Sequence, residues 1–493
     1  MSGAPAGHTS IVWLRRDLRL SDNAALYEAC SKSERVCVAF VVNPPMLRDP
    51  SMGSPIVCAF FEALGALRED LRARGSDLAI LIGDFTSELR SLAKRIEARA
   101  MYYNVDYEPA AVRRDATVEA ALRADGLEVA AFVDHVYFSA GDVLQNNGSP
   151  YRVFTPYKRR WLDLRTFSPR LPFPSLRALE GRLLERLLIG GTAPVPKAED
   201  FGFSNSAAYP HATEALAHLR LRDFLDGPAR AYQIDRNIPS LDGTSRLSHH
   251  LRAGTIGVRT CVEQAVSRAR SSGPQHRESI ETWIAELVWR DFYQSVLKWF
   301  PKVENAPFLL AAQNVPWRSD QSDFSTWCDG RTGYPIVDAA MRQLNETGWM
   351  HNRLRMIAAS FLSKHLLIDW HSGERYFHRQ LADADLAQNN GGWQWAASTG
   401  TDAVPYFRIF NPVAQGKRFD PAGTFVKHFI PELANVPTKY VHEPWMMPPL
   451  LQAASGVTIG REYPAPIVVH NEARSRAIHV FKSTLGSSAG AKK

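Results

Sequence analysis

At 493 residues the chain exceeds the roughly 250 to 300 over which one hydrophobic core keeps growing, so at least two domains are expected. With 45% hydrophobic and 22% charged residues, and no apolar run near the ~20 residues of a spanning helix, the composition excludes a membrane protein. Lys and Arg number 58 against 51 Asp and Glu, a balance of +7 that favours a polyanionic partner; five scattered cysteines without a CxxC pair exclude a disulfide framework and a zinc ribbon.

The opening segment MSGAPAGHTS lacks the basic region of a signal peptide, so a cytoplasmic address, nucleoid-associated in a bacterium, is expected. Apolar runs at 11–14, 36–42, 78–82, 100–104 and 129–133 read as buried parallel strands. Amphipathic helical patterns lie between them, such as 56–75, which closes on Gly75; Ser21, ahead of Asp22 and Asn23, is a candidate N-cap. This alternation predicts a doubly wound, Rossmann-like α/β domain over 1–137. No Gly-x-Gly-x-x-Gly follows the first strand, which argues against a dinucleotide on that turn.

Residues 138–213, with NNGSP, SPRLPFPS and GGTAPVPK, read as an interdomain linker. Helical periodicity dominates from 214 to 480, notably at 281–300, 334–348 and 352–370, so the second domain is expected to be all-α; the tail, 481–493, reads as frayed.

Two segments of the helical half could carry chemistry. GTSRLS (243–248) sets a glycine, hydroxyls and a basic residue before a helical run, which suits a phosphate seat or an ordinary helix cap. DADLAQNNGGWQWAASTGTD (383–402) mixes carboxylates, amides, a glycine pair and two tryptophans, as a pocket for a planar ring system requires. Two rivals are weaker. Asp383 and Asp385 could form a metal–nucleotide pair, and His371, Glu374 and His378 share a helical face, but a zincin needs histidines at i and i+4; no metal site is expected. The twelve tryptophans are individually core residues by default.

The blocks WLRRDLRLSDN (13–23), GTSRLS, ELVWRDFY (286–293), TGYPIVDAAMRQL (332–344), GWMHNRLRMI (348–357) and NNGGWQWAASTGTDAVPYFRIFNP (389–412) resemble class I cyclobutane-dimer photolyases, within the photolyase and cryptochrome family. The resemblance spans essentially the whole chain. It implies an antenna domain followed by a helical domain holding FAD, active as the reduced anion, and light-driven repair of cyclobutane pyrimidine dimers by electron transfer to a flipped-out lesion. A DNA partner carrying pyrimidine dimers and a monomeric state are implied as well. A cryptochrome-type photoreceptor and (6-4) photoproduct repair are the alternatives.

By that resemblance FAD contacts fall on Tyr232, Thr244, Ser245, Arg246, Leu247, Ser248, Trp283, Glu286, Arg355, Asp383, Ala384, Asp385 and Asn389, with Asn389 facing flavin N5. Dimer contacts fall on Glu286, Trp289, Asn352, Met356 and Trp395, and further DNA contacts on Arg236, Arg290, Tyr293, Arg353 and Gln415. Extruding the lesion costs a few kcal/mol, least where the damaged step already pairs poorly. Trp393, Trp370 and Trp317 match the family's electron-transfer tryptophans. Asn352 follows His351 where (6-4) enzymes carry histidine, and Asn389 stands where many cryptochromes carry Asp or Cys, so dimer repair is favoured. Pro109, Ala110 and Ala111 after Tyr107 and Glu108 break the folate signature, whereas Asn104 to Pro109 resembles the deazaflavin pattern through Asp106 and Glu108; a deazaflavin antenna is favoured over folate.

Overall fold

A computed structural model of the chain describes residues 6–485. It forms two compact units: one runs to Arg230 and takes in Ser245–Pro301, and the other comprises Ala231–Thr244 and the chain from Lys302 onward.

In the first unit the five expected strands are β1 (Ala6–Leu14), β2 (Ser33–Val42), β3 (Ala79–Ile82), β4 (Ala98–Asn104) and β5 (Glu128–Phe132). They build one parallel sheet in the order β3-β2-β1-β4-β5. Apolar runs such as VCVAFVV in β2 are continuous, not alternating, because helices cover both faces of a parallel sheet. Trp13 of β1 pairs with Ala39 on one side and Tyr103 on the other. The chain winds outward from β1 in both directions, so the carboxyl ends of β1 and β4 flank the switch point where such sheets bind ligands.

The first helix, Ala24–Lys32, is capped by Asn23 and not by Ser21: the Asn23 side chain accepts from the Leu26 N–H at 3.1 Å. Only the residue directly before the first turn can reach that donor. Ser21 donates instead to the Glu214 carboxylate through its backbone N–H at 2.9 Å.

The segment 138–213 is not structureless. It holds a helix, Phe154–Phe167, whose buried Phe154, Tyr157 and Trp161 recur at helical spacing. Flanking glycines and prolines hide that stripe in the sequence. Asp291, fully buried, accepts from Trp161 Nε1 at 3.0 Å and from the Tyr137 and Phe138 N–H groups at 3.1 and 3.3 Å. Burial pushes its carboxyl up to about 6 against the pull of those donors and Arg290.

A buried ionic knot ties the first βα turn to the helix Val258–Arg270. Arg19 pairs with Asp134 at 2.6 Å, and Arg259 with Asp22 at 2.9 Å. Burial opposes the Asp134 charge, but the two guanidiniums outweigh it and hold the carboxyl at about 2. Gly257 sits so close to this knot that a Cβ would lie 2.0 Å from an Asp22 carboxylate oxygen.

The second unit is helical, as expected. Pro335–Thr347 ends on Gly348, whose φ of 66° supplies the left-handed C-cap. The pattern at 352–370 does not form one helix. Asn352–Ser360 passes into a π turn, Phe361–His365; Leu367 takes φ 55°, and Asp369 caps a new helix, Trp370–Gln380. Residues 357–368 are buried without interruption across the turn, so the apolar pattern runs through the break. Helices Leu386–Ala397, Pro412–Phe419 and His470–Leu485 follow. The last holds residues 481–485, with Phe481 buried, where fraying was expected; residues 486–493 of that tail lie outside the described residues.

Candidate functional site

In the first unit the helix Pro274–Trp299 carries Trp283, Glu286, Arg290 and Tyr293 along one stripe. Trp283 Nε1 donates to Ser245 Oγ at 3.2 Å, and the Ser245 carbonyl accepts from Arg220 at 3.0 Å. Ser245 and Ser248 do not cap the helix Ser248–Ala253: the N-cap is the buried Leu247, which makes no side-chain bond. The adjacent Arg246 is exposed and held at φ 48°. The helix-cap reading of this segment is therefore not borne out: no side chain of the segment caps that helix.

Trp289 stacks on Phe154, and its other ring neighbours are Phe292 and Tyr293. Arg290 is buried and its guanidinium binds the His135 carbonyl and ring, so it fixes the turn after β5. Asp106 and Glu108 stand beyond the carboxyl end of β4 and are engaged: Glu108 with Arg16 and Arg252, and Asp106 with Arg16 at 3.5 Å. Burial opposes the Asp106 charge, yet Arg16 and His135 hold it far below the usual range.

In the second unit His351 caps the helix Asn352–Ser360 by accepting from the Arg353 N–H at 3.2 Å. Asn352 and Met356, four apart, therefore share a face, and Asn352 is exposed. Arg355 forms a two-pronged pair with Asp383 at 2.8 and 3.1 Å and donates to the Met350 carbonyl at 2.8 Å. Ala384 is buried, and Asp385 caps the helix Leu386–Ala397 by accepting from Gln388 at 3.1 Å. One aspartate thus holds an arginine and the other a helix end. His371 likewise pairs with Asp369 at 2.9 Å.

Asn389, one turn into that helix, donates its Nδ2 to the Glu374 carbonyl at 2.9 Å. A carbonyl can only accept, so this bond fixes the amide orientation and leaves Oδ1 as an acceptor. Trp393, one turn on, is buried, while Trp395 is partly exposed. Trp370 is buried and stacks on His371 at 3.7 Å; Trp317 is partly exposed against Phe481 at 5.8 Å. Tyr232 is buried beneath Arg236, Thr244 is half-buried, and Gln415 lies on the helix Pro412–Phe419. Arg353 binds Asn237 at 2.6 Å and, with Arg418, covers the Phe419 ring.

Comparison with known proteins gives this arrangement a context. A profile for the FAD binding domain of DNA photolyase matches residues 283–483, and one for DNA photolyase matches residues 10–176. A deoxyribodipyrimidine photo-lyase of Salmonella typhimurium is 41% identical over 487 residues, covering 96% of this chain and 98% of that one. The chain belongs to the photolyase and cryptochrome family. Among solved structures, a bacterial class III photolyase from Agrobacterium tumefaciens is 34% identical with a TM-score of 0.87, covering 99% of both chains. An archaeal photolyase from Sulfolobus tokodaii, solved with two FAD molecules, is 30% identical with a TM-score of 0.80, covering 96% of this chain and 100% of that one. The family fold, a parallel five-stranded sheet followed by a helical FAD-binding domain, is the one observed.

Within the family frame, three residues escaped the sequence reading: Phe154 behind Trp289, Trp327 against Trp393, and Arg418 beside Arg353; Glu374, weighed there only with His371 and His378, stands behind Asn389. Only Arg418 had a signal, the basic pair it forms with Lys417. The others matter through side chains distant in sequence.

Proposed function

We propose that the protein is a deoxyribodipyrimidine photo-lyase that repairs cyclobutane pyrimidine dimers in DNA. The observation that carries this reading is Asn389: its nitrogen is spent on the Glu374 carbonyl, so its oxygen is a fixed acceptor. A fixed acceptor fits a flavin whose N5 bears a hydrogen, the reduced form, and would oppose the oxidised ring, whose N5 has a lone pair. Protein hydrogen bonds at that position are the lever by which a cofactor's redox state is set.

The remaining donor set suits FAD. Ser245, Arg246 and Ser248, with Tyr232, Thr244 and Leu247, would hold its phosphates, and Trp283, Glu286, Arg355, Asp383, Ala384 and Asp385 would contact the rest. Bound reduced FAD supplies, on excitation, the electron that splits the dimer and that returns afterwards. Trp289 and Trp395 offer aromatic faces to a flipped-out dimer, and Glu286, Asn352 and Met356 polar and soft contacts to its edges. Glu286 would stabilise charge developing on the dimer carbonyls. Arg236, Arg353, Tyr293 and Gln415 would follow the backbone, giving affinity that ignores sequence.

Trp393, Trp370 and Trp317 would carry electrons inward to reduce oxidised FAD. For an antenna we favour a deazaflavin at Asp106 and Glu108, although the second FAD of the Sulfolobus relative offers a flavin as the competing choice.

Reduced protein is expected to restore a thymine-dimer oligonucleotide in light and not in darkness, leaving a (6-4) oligonucleotide unrepaired. Failure on the first substrate would overturn the reading; repair of the second alone would shift it to (6-4) lesions.

A further inference from the structure

Trp393 packs against rings other than those of Trp370 and Trp317. Its indole meets Trp327 edge to face, with centroids 6.0 Å apart, and Phe377 at 4.9 Å. Trp327, fully buried on the helix Gln321–Cys328, in turn meets Tyr376 at 5.8 Å. Tyr376 is only partly buried, and its hydroxyl donates to Asn345 Oδ1 at 2.7 Å. Three oxidisable rings, each touching the next, therefore lead from the interior to a phenol that water can reach.

Proton chemistry changes along the run. The Trp393 Nε1–H is buried without a hydrogen-bond partner, and that of Trp327 donates to the Ala358 carbonyl at 3.1 Å. An indole that has lost an electron is an N–H acid, but neither ring faces a base, so the positive charge stays intact. Charge stranded in an apolar interior is unfavourable and is driven outward. Tyr376 differs, because an oxidised phenol sheds its proton at once. Asn345 Oδ1 orients the hydroxyl, the proton leaves to the nearby solvent, and the loss traps the vacancy at the edge of the unit.

We propose that Trp327 and Tyr376 form a second electron-supply branch into Trp393, beside the one assigned to Trp370 and Trp317. The branch rests on the photolyase reading. Trp393 gives one electron to photoexcited oxidised FAD and is refilled from Trp327, which is refilled from Tyr376. Tyr376 thus loses one electron and its phenolic proton, the proton passing to water. An added thiol later returns one electron and one proton to the neutral tyrosyl.

The test is to illuminate the protein with oxidised FAD, without thiol, freeze it, and record its electron paramagnetic resonance. A neutral tyrosyl signal is expected, with its hyperfine pattern collapsed in protein made with ring-deuterated tyrosine, and lost in Tyr376→Phe and in Trp327→Phe. Photoreduction is expected to persist in Trp317→Phe and to vanish when Tyr376→Phe is added. If Trp393→Phe abolishes photoreduction and dimers are repaired, yet no tyrosyl signal depends on Tyr376, the branch alone is overturned. Protein that holds no FAD or repairs no dimer overturns the photolyase reading and the branch with it.

Discussion

The indole of Trp289 and the phenyl ring of Phe154 lie face to face, with centroids 3.6 Å apart and planes 9° from parallel. Aromatic pairs prefer offset or edge contacts, so a parallel stack needs outside support. Phe292 provides it, with its edge against both rings at 5.9 and 5.7 Å. One face of Trp289 is thereby covered and its plane fixed, as the proposed dimer contact requires. Phe154→Leu keeps apolar volume but releases the plane. Dimer-containing DNA is expected to bind roughly three- to tenfold more weakly, in line with the ~0.5–1.5 kcal/mol of an aromatic pair. Fluorescence anisotropy with damaged and undamaged oligonucleotides measures this; equal weakening of both would remove Phe154 from the dimer pocket.

The contrast between Asn389 and Phe154 shows what the sequence made legible. Asn389 lies in a long block of distinctive residues, and the family likeness points to it directly. The five strands were legible too, because buried parallel strands leave uninterrupted apolar runs. Phe154 lies in a segment rich in proline and glycine, 135 positions before its partner, and nothing local announces a contact of that range. The break after Ser360 was hidden for the opposite reason: burial on several sides kept the periodic signal going through a π turn.

Gly373 lies on the Trp370–Gln380 helix where a Cβ would come within 2.1 Å of Trp393 Cη2 and 2.6 Å of Leu362 Cδ2. Alanine gains about 1 kcal/mol over glycine in a helix. Overpacking a buried site costs about 1 to 3 kcal/mol, and the Trp393 ring cannot withdraw as a flexible chain could, so the clash decides the sign. Gly373→Ala is expected to lower Tm and to slow photoreduction of bound flavin, while Gly392→Ala, inside the helix Leu386–Ala397 with open space at its Cβ, raises Tm slightly and leaves photoreduction unchanged. A Tm for Gly373→Ala at or above wild type would show that the indole has room to move.

Arg353 is flanked by Arg236 and Arg418: burial, then these two charges, lowers its proton affinity. Three guanidiniums so close repel one another, and a polyanion relieves that repulsion. Replacing Arg418 with Gln is expected to weaken damaged and undamaged DNA alike and to reduce the slope of log K against log salt by about 0.7 to 0.9, the share of one phosphate contact. Asn352→Ala should instead weaken only the damaged strand and leave the slope unchanged. An unaltered salt slope for Arg418→Gln would exclude it from the backbone track.

Glu374, whose backbone carbonyl holds Asn389, carries a buried carboxyl that faces Asn390 and gives folding a pH dependence. Burial pushes its carboxyl up to about 7, against the Asn390 amide, which donates to it at 3.3 Å, and the charges of His371 and Arg375. In the unfolded chain the group titrates near 4.5. Below pH 4.5 both states hold the proton and the site costs nothing. Between 4.5 and 7 the folded state keeps a proton that the unfolded state releases, so stability falls as pH rises, by up to about 3 kcal/mol over the interval. Glu374→Gln is neutral throughout, and its amide oxygen still accepts from Asn390. The stability of the variant relative to wild type should therefore climb from near zero at pH 4.5 to about 3 kcal/mol above pH 7. Urea unfolding across that range measures the difference. A gap that stays flat with pH would mean that Glu374 titrates in the folded chain as it does in the unfolded one.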